Sequence, residues 1–374
     1  MTQTAPLHHR LSYFDNIRAL MIIFVVLMHT AVTYSGFGGW YYKEEMSNDM
    51  FSSLLFALFQ TYLQAFFMSL LFMIAGYFSA LSIEKKTSSQ FIKGRLLRLG
   101  IPTLFYMVIV HPICIKVLNP DLELGTFIVN GLKSGKILSW SGPLWFTLTL
   151  LIYSLVYLAK RKWLPKLTFS NFEFTPKNVL AITGIVTLIA FLVRLVFPIG
   201  SSVLNLQFSF FTAYIVFYVL GIISYQNKSL DSLDSAGNKF LLFSIISGLI
   251  FWFAIMIFGG PVSGEFYIEG GWHWQAFAFA LWESFTCVLF CIGIFKIFKK
   301  TFNSQNKAQK FLSDHAFGVY VFHAPILISI SLVLKNLTMY PLLKFGLVAA
   351  ITIPACFIFS WLIKKIPIFK KVFS

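Results

Sequence analysis

A polytopic all-α membrane protein is the fold class this sequence predicts, and three observations predict it. Hydrophobic residues make up 57% of the 374 positions, 44 Phe among them, against 12% charged residues; soluble domains carry about 25%. Apolar runs of about 20 residues, the length that crosses a bilayer, recur ten times along the chain. Nothing alternates at the two-residue period of a barrel strand, and lipid offers no partner to an open backbone, so these runs must close their hydrogen bonds internally as helices.

The runs cover roughly 17–35, 54–82, 96–118, 141–159, 179–198, 206–225, 240–258, 273–295, 316–334 and 341–363. Charge orients them. Of the 30 basic residues, 23 fall on one side: in the N-terminus (Arg10, Arg18), the tail, and the even-numbered loops around Lys93, Lys162, Lys228 and Lys307. Lys43, Lys116, Lys133, Lys136, Lys335 and Lys344 are opposite, and Arg194 is inside a span. The positive-inside rule then predicts cytoplasmic termini for a multi-pass membrane protein. The net charge of +16 is thus a topology signal rather than a nucleic-acid footprint. No small-residue cleavage pattern closes the first run, so it is expected to be retained. The loops are short, no repeat is visible, and residues 1–374 are expected to form one domain.

The first run opens "FDNIRALMIIFVVLMHT". Ala19 to Met28 is apolar throughout, yet Asp15 and Arg18 stand at its start and His29 lies within it. Ionisable groups at membrane depth are costly and are functional candidates. Arg18 and His29 are eleven residues apart, about three turns, so they share one helix face about 16 Å apart along the axis. Asp15 falls on the same side and is expected to cap the helix.

Later runs add fewer polar groups. The second ends "FMIAGYFSA"; the third is entered by "RLLRLGIPTL", where Arg95 and Arg98, three apart, are expected to share a face. Such guanidiniums suit phosphate, and equally serve as ordinary positive-inside charge. The fourth opens "GPLWFTLTLL", with Trp145 either an interfacial anchor or a site wall. Arg194 in the fifth and Glu283 in the eighth are opposite charges at membrane depth, expected to pair or to line a wet cavity. Trp272 and Trp274, in an outer loop rich in Gly and aromatics, suit either the aromatic belt or a sugar-stacking platform. In the ninth, "FGVYVFHAPIL" places His323 two residues before Pro325, which is expected to kink the helix. The four Cys all lie in spans and read as core packing; no metal site is expected. His8, His9 and His111 carry no assignment.

Together these segments resemble the acyltransferase-3 family of integral-membrane acyltransferases. Its signature, an Arg and a His separated by ten residues in the first span, is matched by Arg18 and His29. "GYFS", "GIP", "LWF", "FYVLGIISY", "FHAP" and the ending "IPIFKKVFS" extend the likeness over the whole chain. Within the family it looks most like the branch that succinylates osmoregulated periplasmic glucans. The resemblance implies an acyl-CoA co-substrate, acetyl-CoA or succinyl-CoA, reached from the cytoplasm, a carbohydrate acceptor outside, and no tightly bound cofactor. Arg18, His29, Asp15 and Glu283 would then be catalytic. Arg95, Arg98, Trp145 and His323 would hold the donor, and Arg194, Trp272 and Trp274 the acyl group or acceptor. A homodimer is compatible with the sequence.

A secondary transporter is the rival class, because buried His, Arg and Glu also build proton relays. No pair of interrupted helices in matching halves marks an inverted repeat. A structural scaffold would leave the aligned Arg18 and His29 unexplained. No phosphate-binding loop, dinucleotide fingerprint or H-E-x-x-H pattern is present, so nucleotide hydrolysis, redox and zinc chemistry lack support.

Overall fold

Polar caps outside the apolar runs, Asp49, Thr87, Thr175 and Asn306, set where four of the helices begin. The computed structural model describes residues 11–46, 49–163, 172–230, 233, 237–261 and 264–372; Arg10 and Lys166 of the basic tally, with His8 and His9, lie outside the described residues. Ten helices among the described residues are long and apolar enough to cross a membrane: Ser12–Ser35, Met50–Lys85, Ser88–Leu118, Gly142–Arg161, Pro176–Arg194, Phe208–Asn227, Phe240–Phe258, Trp274–Thr301, Lys307–Val333 and Pro341–Ile363. Each coincides with a predicted run. The third and ninth start eight or nine residues earlier than hydropathy indicates, because capping boxes at Thr87 with Gln90 and at Asn306 with Gln309 nucleate polar turns ahead of the apolar stretch. Asp49 caps the second span through Ser52 N–H at 2.8 Å.

Asp15 is not a cap. Leu11 occupies the cap position of the first span, with no side-chain cap bond. One turn further in, Asp15 instead accepts from Arg18 at 3.0 Å.

The third span carries a feature hydropathy cannot show. It is α-helical but for two five-residue π turns, Leu96–Gly100 and Tyr106–Val110. Each closes just before a proline, Pro102 and Pro112. A proline ring crowds the carbonyl four residues back and offers it no N–H. Widening the preceding turn, so that Ile101 N–H bonds Leu96 and His111 N–H bonds Tyr106, accommodates both problems. Pro325, by contrast, sits within a ninth helix assigned as continuous from Lys307 to Val333.

The second and eighth spans form the centre, with 72% and 78% of their apolar windows buried, while the seventh and tenth, at 28% and 33%, are peripheral. The second span packs most extensively against the sixth. Glycine permits this close crossing: a Cβ on Gly76 would collide with the Tyr218 carbonyl, and one on Gly221 with the Met73 carbonyl. Small residues let membrane helices approach at the backbone.

At one end of the bundle the helix termini are tied together. Asn16 donates to the carbonyls of Phe302 (2.7 Å) and Ser304 (3.1 Å), Lys299 donates to Leu230 at 3.0 Å, and Lys364 to Asp314 at 2.6 Å. At the other end the segment after the first span, which turns at Gly36 with φ 80°, folds back along it. Glu44 N–H bonds the Thr33 carbonyl at 2.9 Å. This strap carries Trp40, Tyr41 and Glu44.

Candidate active site

His29 is held on the first span by its own helix: Nδ1 lies 3.4 Å from the Val25 carbonyl, one turn back. His323, on the ninth span and fully buried, has Nδ1 2.7 Å from the Tyr320 carbonyl. A carbonyl only accepts, so Nδ1 of His323 carries the hydrogen and Nε2 presents a lone pair. That Nε2 is buried and has no hydrogen-bond partner among the described residues. The two imidazole centroids are 5.1 Å apart. Trp40 of the strap covers both, 3.8 Å from His29 and near-parallel to His323 at 5.9 Å.

A second group joins this one through the next residue. Tyr106 O–H donates to the Tyr41 oxygen at 3.2 Å, and the Tyr41 hydroxyl is hydrogen-bonded to His111 Nδ1 at 2.8 Å. Burial raises the Tyr41 phenol far above its ordinary range, so it stays a neutral donor. Trp140 stacks on His111 at 5.1 Å, and Phe127 on Trp140 at 4.6 Å. Gly142 turns here with φ 48°, where a side chain would run into Tyr41 and Tyr106. Tyr320 O–H bonds the Pro143 carbonyl, which ties this turn to the helix bearing His323.

The predicted charges fall elsewhere. Arg194, 1% exposed, pairs with Glu283 and donates from Nε to the Ser209 carbonyl at 3.3 Å. Glu283 therefore stands with Arg194. It lines a small internal cavity of about 10 Å³, room for about one water, together with Gln64, Ser69, Ser209 and Tyr214. Gln64 donates to the Tyr214 hydroxyl at 3.0 Å. Trp145 stacks on Tyr214 at 5.5 Å, inside the bundle.

At the tied end, Arg18 lies 4.5 Å over the Phe78 ring. Arg95 donates to Ser79 Oγ at 3.0 Å and lies over Phe91 at 4.9 Å, whereas Arg98 is exposed. The two guanidiniums thus differ in exposure and in partners. Beside Phe91, a groove of about 320 Å³ is lined by Lys86, Thr87, Ser88 and Arg161. Trp272 and Trp274 are 78% and 60% exposed at the opposite end, with Trp272 against Phe191 at 5.6 Å.

Sequence reasoning missed Trp40, Tyr41, Tyr106 and His111, and the buried ion pair between Lys344 and Glu44. The one signal was "GFGGWYYKEE", a glycine-rich turn running into three aromatics between two spans.

Comparison with known proteins agrees with the family resemblance. The profile of the acyltransferase-3 family, described as an acyltransferase domain, matches residues 11–361. Glucans biosynthesis protein C of Escherichia coli strain K12 is 25% identical over 265 residues, 63% of this chain and 63% of that protein. The chain thus spans under two thirds of that relative's length. The protein of the same name in Escherichia coli O1:K1 / APEC is 22% identical over 352 residues, 86% of this chain and 83% of its own. No solved structure matches.

Proposed function

This chain belongs to the acyltransferase-3 family, and on that premise we propose that it moves an acyl group, acetyl or succinyl, from cytoplasmic acyl-CoA to a hydroxyl of an extracytoplasmic glycan. The observation that carries this is the pair of imidazoles, His29 and His323, set 5.1 Å apart within the bundle. With Nδ1 turned to Val25, His29 offers Nε2 as a base. It takes the hydroxyl proton as the oxygen attacks the thioester carbonyl; the C–O bond forms, the C–S bond breaks, and the proton passes to the departing thiolate. The Nε2 lone pair of His323 accepts a hydrogen bond from the incoming acceptor and positions it.

The donor's phosphates are assigned to the tied, basic end. Arg18, steadied by Asp15, Arg95 and the exposed Arg98 supply guanidiniums that match phosphate oxygens, and the groove at Lys86 and Arg161 extends the cationic surface. The acyl arm then spans the roughly 16 Å of helix between Arg18 and His29, with Trp145 on the bundle's inner wall. Glu283 is read as the counter-ion of Arg194. Nη1 of Arg194 has no partner among the described residues, and it is the donor that a succinyl carboxylate would need. A glycan acceptor is supported by the name that the relatives carry, and the exposed rings of Trp272 and Trp274 suit sugar stacking.

The test is thiol release by purified protein in detergent. Free CoA should appear from acetyl-CoA or succinyl-CoA only when a glucan acceptor is added, with ester formed in equal amount. Neither donor reacting with any acceptor, together with proton-coupled uptake in proteoliposomes, would overturn acyl transfer in favour of transport.

A further inference from the structure

Trp40 is where the candidate site holds an unanswered donor. Its Nε1 is shielded from solvent and has no hydrogen-bond partner among the described residues. An indole N–H can only donate, and buried Trp N–H groups ordinarily find an acceptor; other buried indoles here do. Trp252 donates to Thr61 at 2.9 Å, and Trp282 to the Gly248 carbonyl at 2.9 Å. The exception is the one whose ring lies 3.8 Å from His29 and 5.9 Å from His323.

The strap that carries this ring is anchored. Glu44, four residues on, is fixed by its backbone bond to Thr33 and by its ion pair with Lys344, which is 1% exposed. Lys344 also donates to the carbonyls of Leu337 (2.8 Å) and Lys335 (3.2 Å). Tyr41 is fixed by His111. The indole is thus held by anchors at the next residue and four residues on. A rigid, desolvated donor beside a general base is what acyl transfer needs at the carbonyl oxygen, because a donor already in place costs no reorganisation when charge develops.

We propose that Trp40 is a catalytic residue whose indole N–H binds the thioester carbonyl oxygen as it becomes an oxyanion. This rests on the acyl-transfer function proposed above. The acceptor hydroxyl adds to the carbonyl carbon, the π electrons move to oxygen and are held by Trp40 Nε1–H, and the hydroxyl proton goes to His29 Nε2. When the carbonyl re-forms, the C–S bond breaks and the thiolate takes that proton. Trp40 gives a hydrogen bond throughout and no proton.

The decisive variant is Trp40→Phe, which keeps an aromatic face on both imidazoles and removes the N–H. Loss of one oxyanion donor typically costs 10²–10³ in kcat, so kcat should fall by about 100- to 1000-fold. KM for acyl-CoA should stay within about threefold, and the pH dependence of kcat should not move, since the base is untouched. A ring that merely orders the site would instead shift the pH profile. If Trp40→Phe does not fold, replacing Trp40 with benzothienylalanine, which exchanges the N–H for sulfur in the same shape, must give the same loss. Near wild-type kcat in either form overturns the oxyanion role while leaving acyl transfer standing. Wild-type protein that releases no thiol removes acyl transfer itself, and this role with it.

Discussion

His29 and His323 lie 294 positions apart in the chain and 5.1 Å apart in space, one on the first span and one on the ninth, under a single indole. Each imidazole has one nitrogen turned to a carbonyl of its own helix, so each is left with the other nitrogen for chemistry. Four expectations follow from this arrangement and its surroundings.

His29→Ala removes the proposed base. General bases contribute about 10²–10⁴-fold, so kcat/KM should fall by about 3–5 kcal/mol of transition-state stabilisation. Equilibrium binding of acyl-CoA, with its phosphates assigned to the opposite end of the span, should weaken by far less. A folded His29→Ala protein acylating at the wild-type rate would make His29 structural. Recovery of labelled acyl-enzyme from wild-type protein without acceptor would point instead to an acyl-imidazole intermediate.

Arg98→Lys keeps the charge and removes the planar fork. Arg98 is exposed, so the change should not affect folding. KM for acyl-CoA should rise about tenfold, the worth of one charge-assisted hydrogen bond, with kcat changed less. An unmoved KM would leave Arg98 with topology alone. Arg95→Lys, which also breaks the bond to Ser79, should lower thermal stability as well.

Lys344→Met strands the Glu44 carboxylate at a buried position. Breaking one side of a buried ion pair typically costs about 3–5 kcal/mol, to be read as a fall in melting temperature in detergent. Adding Glu44→Gln should restore part of the loss, because no charge is then left unpaired. A single variant as stable as wild type would show that the pair does not hold the strap.

Topology is tested by single cysteines in intact cells. A Cys at Lys93 or Lys307 should resist a membrane-impermeant thiol reagent and one at Trp272 should react. The reverse pattern would put the basic groove, and the donor with it, on the outside.

Periodicity and hydropathy by themselves determined ten spans, because a segment of about 20 apolar residues has one stable answer in lipid. Local spacing also placed Arg18 and His29 on one face of one helix, since rise and twist are fixed by the backbone, and opposite charges at membrane depth announced the Arg194–Glu283 pair. What only the tertiary structure decided depends on which helices become neighbours. Spacing within "RLLR" put Arg95 and Arg98 together; that Arg95 turns to Ser79 while Arg98 stays exposed depends on the second span beside it. Asp15 had the spacing of a cap, and the helix began a turn earlier. Trp40, in a strap with no period to read, is held at the two imidazoles by contacts far away in sequence, Tyr41 on His111 and Glu44 on Lys344 across 300 residues.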